Sequence, residues 1–202
     1  PEAAGAGKGG GTGLMPPAVV GLGALNIDRI YHVKKMLADG ETTIDSAGIY
    51  PGGSAANTIY GLSRMGVATG FCGAVGDDEG GRRLLADFKK AGADTDHIVV
   101  KTQKESGAVF CLSSASSRSL YVLPGANAEL ALEDIDLDYV NSTGWLHLTS
   151  FVDDAQFEMS QEIVDTLNSG VKLSFAPGAL YVARGLKALG SMLSRADILF
   201  LN

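Results

Sequence analysis

From Trp145 onward the chain alternates short apolar runs with segments of helical period. Trp145–Leu148, Val171–Phe175 and Ile198–Leu201 read as strands, with helices over Ala155–Leu167 and Val182–Leu193 between them. Strands separated by helices need crossover connections, which are right-handed and lay the strands down in a largely parallel sheet. The same rhythm occurs earlier. Ala18–Leu25 is continuously apolar, as a strand buried on both faces must be. Ser54–Gly66 places Ala55, Ala56, Ile59, Leu62 and Met65 on one helical face. Val67–Val75 is strand-like, and a helix from Glu79 turns Leu84, Leu85, Phe88 and Ala91 inward before Gly92 ends it. The expected class is therefore α/β.

Two stretches interrupt this rhythm, about 28–50 and about 106–123. Both mix polar with apolar residues, and Ser113–Arg118 reads as the turn of a hairpin. Together they are assigned to a small β-sheet lid over the carboxyl edge of the parallel sheet, where open sheets of this kind bind ligands.

The remaining composition narrows the function. Of 202 residues, 46% are hydrophobic, enough for one ordinary core. The net charge of −7 and the lack of a basic run argue against nucleic acid as a partner. No apolar stretch is long enough for a membrane span, and no signal-peptide pattern opens the chain, so a cytoplasmic protein is expected. Cys72 and Cys111 lie inside strand-like runs and read as buried thiols. His32, His97 and His147 are too scattered for a metal site. Trp145 is expected in the core. Residues 1–16, rich in glycine and alanine, are expected to be a disordered tail, with Met15 a candidate start and 17–202 the domain. The final strand pattern has no helix after it. Its apolar face is expected to be exposed, leaving the isolated chain marginally soluble.

Two segments carry candidate chemistry. In Gly21-Leu22-Gly23-Ala24-Leu25-Asn26-Ile27-Asp28 the glycines begin like a dinucleotide fingerprint. Asn26 occupies the third glycine position, however, and a strand-like segment follows where a helix should open. Asn26 and Asp28 read either as binders of vicinal hydroxyls at the end of a buried strand or as side chains that stabilise a turn. In Gly52-Gly53-Ser54-Ala55-Ala56-Asn57, the glycines allow close backbone approach to a ligand, and Asn57 is placed one turn into the helix, facing the same cleft. The plainer reading is a glycine turn with Ser54 as N-cap. Asp77-Asp78 and Asp153-Asp154 read as helix caps.

Taken together these segments resemble the PfkB/ribokinase family of carbohydrate and nucleoside kinases. The resemblance continues in order through Val75-Gly76-Asp77-Asp78-Glu79-Gly80, Ser106-Gly107, Pro124-Gly125-Ala126-Asn127 and Ala196–Asn202. It implies a ribokinase-like three-layer α/β/α domain with a β-sheet lid, here without its C-terminal part. It also implies transfer of the γ-phosphoryl group of ATP, with Mg²⁺, to a hydroxymethyl group of a sugar or nucleoside. By the same resemblance Asn26, Asp28, Gly52, Gly53 and Asn57 would hold the small-molecule substrate, with Ser106 and Gly107 on a covering lid strand. Asn202 would open the nucleotide-side Asn-x-x-Glu motif, and lids of this family often pair two copies, which admits a homodimer. Ser150 falls near a substrate-binding glutamate of ribokinases. Ser54 stands where ribokinases proper have lysine, which points to other branches of the family. The run Asp-Thr-x-Gly-Ala-Gly-Asp, which supplies the family's catalytic base and anion hole, is not present. This chain alone is therefore expected to be inactive. The competing expectation is a sugar- or nucleoside-binding module without catalysis.

Overall fold

The computed structural model describes residues 16–201. Of the tail expected to be disordered, all but Pro16 lies outside them, as does Asn202. The chain opens with β1 (Val19–Leu22), passes through two long strands, β2 (Asn26–Val33) and β3 (Ile44–Gly52), and enters α1 (Ser54–Arg64). Then follow β4 (Thr69–Gly76), α2 (Glu79–Ala91), β5 (Ile98–Lys101), β6 (Gly107–Ser113) and β7 (Arg118–Leu123). After two 3-10 turns come α3 (Leu137–Ser142), β8 (Trp145–Thr149), α4 (Asp154–Asp165), β9 (Lys172–Ala176), α5 (Gly178–Val182), α6 (Gly190–Arg195) and β10 (Ala196–Leu199).

The strands form two sheets, as the alternation and its two interruptions required. The six-stranded sheet has the order β10-β9-β8-β1-β4-β5 and is parallel at each of its pairings. The four-stranded sheet has the order β3-β2-β6-β7, so the stretches near 28–50 and 106–123 come together in one small sheet separate from the parallel one. β1 is the switch point: from it the chain builds outward to β4 and β5, then crosses to β8 on its other side. The crevice at the carboxyl end of β1 is where such a sheet accepts a ligand.

The two-residue period of the strands divides the core. Val20 and Leu22 of β1, Cys72 and Ala74 of β4, Leu146 and Leu148 of β8, and Leu173 and Phe175 of β9 face one side, packed against α4 residues Phe157, Met159 and Ile163. Phe71 and Val75 face the other side, against Ala55, Ala56 and Ile59 of α1 and Leu84 and Phe88 of α2. On that second side, Trp145, His147, Ser174, Ala176, Ile198 and Phe200 line an open apolar groove of about 510 Å³ with Val19 and Leu62. Trp145 is accordingly half-buried rather than enclosed, and Ile198 and Phe200 are 42% and 55% exposed.

Several local expectations need correction. β1 ends at Leu22, so Asn26 opens the lid strand β2 instead of terminating the buried parallel strand. Most of the helix expected over 182–193 is turn: α5 ends at Val182 and α6 begins at Gly190, and between them Gly185 takes φ 82, which a continuous helix cannot accommodate. Ser54 is the first helical residue. Gly53 holds the cap position, with no side chain bonding there. Asp153 likewise caps α4 without a side-chain hydrogen bond, while Asp154 pairs with Arg184 at 2.6 Å. Asp78 does cap α2, accepting from the Gly81 N–H at 2.7 Å. Both cysteines are buried and free, and burial pushes the Cys72 thiol up to about 12. No helix of the described residues is long and apolar enough to cross a membrane.

Candidate functional site

The lid register decides which polar residues meet. Asn26 is paired with Gly52 on one side and with Gly107 on the other, and Asp28 with Tyr50 and Val109. Side chains alternate across a strand, so Asn26 and Asp28 share one face of the lid, and Ile27 and Arg29 point to the other. The two glycines flanking Asn26 clear room on the shared face. A Cβ on Gly52 would collide with the Asp28 carboxylate, and one on Gly107 with Asn26 Oδ1 and Asn127 Nδ2.

Asp28 is half-buried, and its Oδ1 is buried without a hydrogen-bond partner. Burial raises its pKa above the ordinary value. A carboxylate so placed is poorly compensated, and a donor arriving from a ligand would relieve it. Asn26 is 7% exposed, with Oδ1 accepting from Asn127 Nδ2 at 3.0 Å. At the neighbouring corner Gly53 has φ 111, and a Cβ there would strike the carbonyl oxygen of Ala24. This close approach brings the start of α1 against the segment following β1, and the Gly53 carbonyl accepts the Asn57 N–H at 2.9 Å.

Not every residue proposed from the sequence joins this cluster. Asn57 is exposed and lines a separate depression of about 300 Å³ with Tyr50, Pro51, Gly52, Leu84 and Phe88; Gly52 and Tyr50, the cross-strand partners of Asn26 and Asp28, adjoin both. Ser106 turns away: its hydroxyl donates to Asp78 Oδ1 at 2.6 Å and accepts from the Gly76 N–H at 3.0 Å. It lines a depression with Ile27 and Arg29, on the opposite side of the lid from Asn26. Ser150 follows β8 and is half-buried, its hydroxyl facing Gly178 of α5. Asn202 lies outside the described residues. Among the described residues there is no group of three or more His, Cys, Asp or Glu placed to hold a metal ion.

Two polar residues near the switch point were not named from the sequence as site residues. Thr149 ends β8, and its hydroxyl oxygen is buried without a partner beside Gly23. Asn127, 3% exposed, reaches Leu25 and Asn26 from a hundred residues away. The signal for Thr149 was its place at a strand's carboxyl end. For Asn127 it was the Pro124–Asn127 motif, but nothing in the spacing says where that turn packs.

Comparison with known proteins places this arrangement. A family model described as pfkB family carbohydrate kinase matches residues 17–202. A protein of Archaeoglobus fulgidus named an uncharacterized sugar kinase is 34% identical over 149 residues, 70% of this chain and 57% of its own. An ATP-dependent ribose-1-phosphate kinase of Halopiger xanaduensis is 31% identical over 187 residues, 91% of this chain and 61% of its own. The crystal structure of a sugar kinase from Pyrococcus horikoshii superposes with a TM-score of 0.78 at 25% identity, covering 90% of this chain and 61% of that one. The same archaeal kinase has also been solved in complex with ATP. The chain thus spans less than two thirds of the length of these relatives. With a family match running through the whole described region, a parallel sheet switching at β1 and a four-stranded lid above it, the chain belongs to the PfkB family of carbohydrate kinases.

Proposed function

We propose that these residues form the substrate-holding part of an enzyme that transfers the γ-phosphoryl group of ATP to a hydroxymethyl group of a sugar or nucleoside. The observation that carries this reading is the buried, partnerless Oδ1 of Asp28, on the same face of lid strand β2 as Asn26, which opens that strand shortly after β1 ends. A polyhydroxylated ligand supplies the donor that Asp28 lacks. It also meets a polar face set by two side chains whose strand fixes their spacing.

In this reading Asn26 and Asp28 orient the acceptor, and holding a reactant in attack geometry is among the largest contributions available to phosphoryl transfer. Gly52 and Gly107 keep the face open to the ligand, and the lid excludes water that would compete as acceptor. When bound, ATP with Mg²⁺ supplies the transferred group and neutralises its charge. The run Asp-Thr-x-Gly-Ala-Gly-Asp, to which the resemblance assigns the base and the anion hole, is not among the 202 residues. We therefore propose that this stretch by itself binds substrate without turnover.

A homodimer through the lid belongs to the same proposal. β3 and β7 are the outer strands of the small sheet, and Ile44, Ile49, Tyr50, Leu120, Tyr121 and Val122 are exposed there. Apolar edge strands of this kind invite pairing. Sedimentation equilibrium reads the mass directly, and a monomer at all concentrations removes this part.

The test of the activity is to express the complete gene and assay ATP-dependent phosphorylation of ribose, fructose, adenosine and cytidine. Turnover on at least one is expected, weakened about tenfold or more by Asp28→Asn. No turnover on any of them overturns the assignment.

A further inference from the structure

The side chain of Asn127 is oriented by backbone groups of fixed polarity. Its Oδ1 accepts the Leu25 N–H at 2.9 Å, and its Nδ2 donates to the Leu25 carbonyl at 3.0 Å. An N–H only donates and a carbonyl only accepts, so turning the amide over would break both bonds. The same Nδ2 also lies 3.0 Å from the Pro124 carbonyl and 3.0 Å from Asn26 Oδ1. All of this is buried, with Asn127 3% and Asn26 7% exposed.

The orientation of Asn26 follows. If its amide were reversed, two NH₂ groups would face each other in a buried setting, and a donor would be left without an acceptor. Asn26 therefore turns its oxygen toward Asn127 and its Nδ2 away from it. Gly107 makes the contact sterically feasible, because a Cβ there would occupy the space between the two amides.

We propose that Asn127 is a positioning residue that fixes the hydrogen-bonding polarity of the substrate face, making Asn26 present a donor beside the acceptor Asp28. This rests on the sugar-kinase reading above for the class of ligand, and it deepens that reading. The group meeting Asn26 must accept, so a hydroxyl, ring or carbonyl oxygen serves there. The group meeting Asp28 must donate, so only a hydroxyl or amino group serves.

The test uses the whole chain labelled with ¹⁵N-asparagine, its side-chain resonances assigned by single substitutions. In the sugar-free protein the Asn127 amide protons are expected to exchange with solvent at least about tenfold more slowly than those of Asn26. Equal or faster exchange at Asn127 overturns the proposal. D-Ribose, D-fructose and adenosine are then titrated in turn. The Asn26 amide resonance should shift with at least one, and Asn127→Ala should weaken that response by about tenfold. A folded Asn127→Ala protein that binds as tightly as the parent overturns the proposal. If that variant does not fold, the exchange comparison in the unsubstituted chain decides. If no compound perturbs the unsubstituted chain, the sugar-kinase reading falls, and the exchange rates still judge the orienting role of Asn127.

Discussion

Asp78 grips Ser106 with both carboxylate oxygens: Oδ1 accepts the hydroxyl at 2.6 Å and Oδ2 accepts the backbone N–H at 2.8 Å. Oδ1 also accepts the Gly81 N–H at 2.7 Å. One side chain thus caps α2 and ties the root of lid strand β6 to the parallel-sheet domain. Burial acts to raise its pKa, but the bonds from Ser106 and Gly81, with Arg82 nearby, bring it below the usual carboxylate range.

Asp78→Ala should therefore lower stability by about 1 to 2 kcal/mol, the worth of a lost cap, with further loss at the lid root. A lowered folded-state pKa means the stabilisation is present at neutral pH and disappears as pH falls through that value. Urea titrations should show the gap between parent and Asp78→Ala narrowing in acid. A constant gap, or none, contradicts this role.

Asp28→Asn should act in the opposite direction on stability. Burial raises the Asp28 pKa above its ordinary 3.8, so ionisation costs folding free energy, and the deficit grows as pH rises through the folded value. The variant is expected to melt higher than the parent by a few degrees at about pH 7 and to match it at about pH 3. The same change should weaken sugar binding by about tenfold or more. Melting curves at the two pH values, beside a sugar titration, check both halves.

Gly53→Ala and Gly61→Ala form an opposed pair. Gly53 sits at φ 111 with the Ala24 carbonyl in the way, so alanine there should destabilise by about 1 to 3 kcal/mol. Gly61 lies within α1 with nothing near an added Cβ, and alanine should stabilise by up to about 1 kcal/mol. Chemical denaturation of both variants measures the difference, and equal effects would refute the corner geometry.

The groove lined by Trp145, Ile198 and Phe200 should make the 202-residue chain bind a hydrophobic fluorescent dye. Phe200→Ser, at a 55% exposed position, should reduce the dye signal without lowering the melting temperature. A sharp melt with no dye binding would show that this face is covered.

Much of the architecture was legible because it is local. Apolar runs such as Val19–Leu22 and Trp145–Thr149 separate themselves from the helical periods of 54–64 and 79–91. Where local signals conflicted, legibility failed: the pattern over 182–193 reads as a helix until Gly185 breaks it. The site was partly legible. Asn26 and Asp28 lie two apart on a strand and must share a face, and Gly52 and Gly107 were named with them. Ser106 was named too, but it precedes Gly107 by one residue, and the period of two turns it to Asp78.

The sequence by itself determined the alternating α/β plan, the existence of a lid and the family, because periodicity, glycine corners and ordered motifs are carried by neighbouring residues. Only the tertiary structure decided which polar groups meet. The pairing of β2 with β6 sets Asn26 against Gly107, and the packing of a 3-10 turn sets Asn127 against Leu25. Contacts between residues eighty or a hundred positions apart leave no period in the chain, so strand register and burial had to supply them.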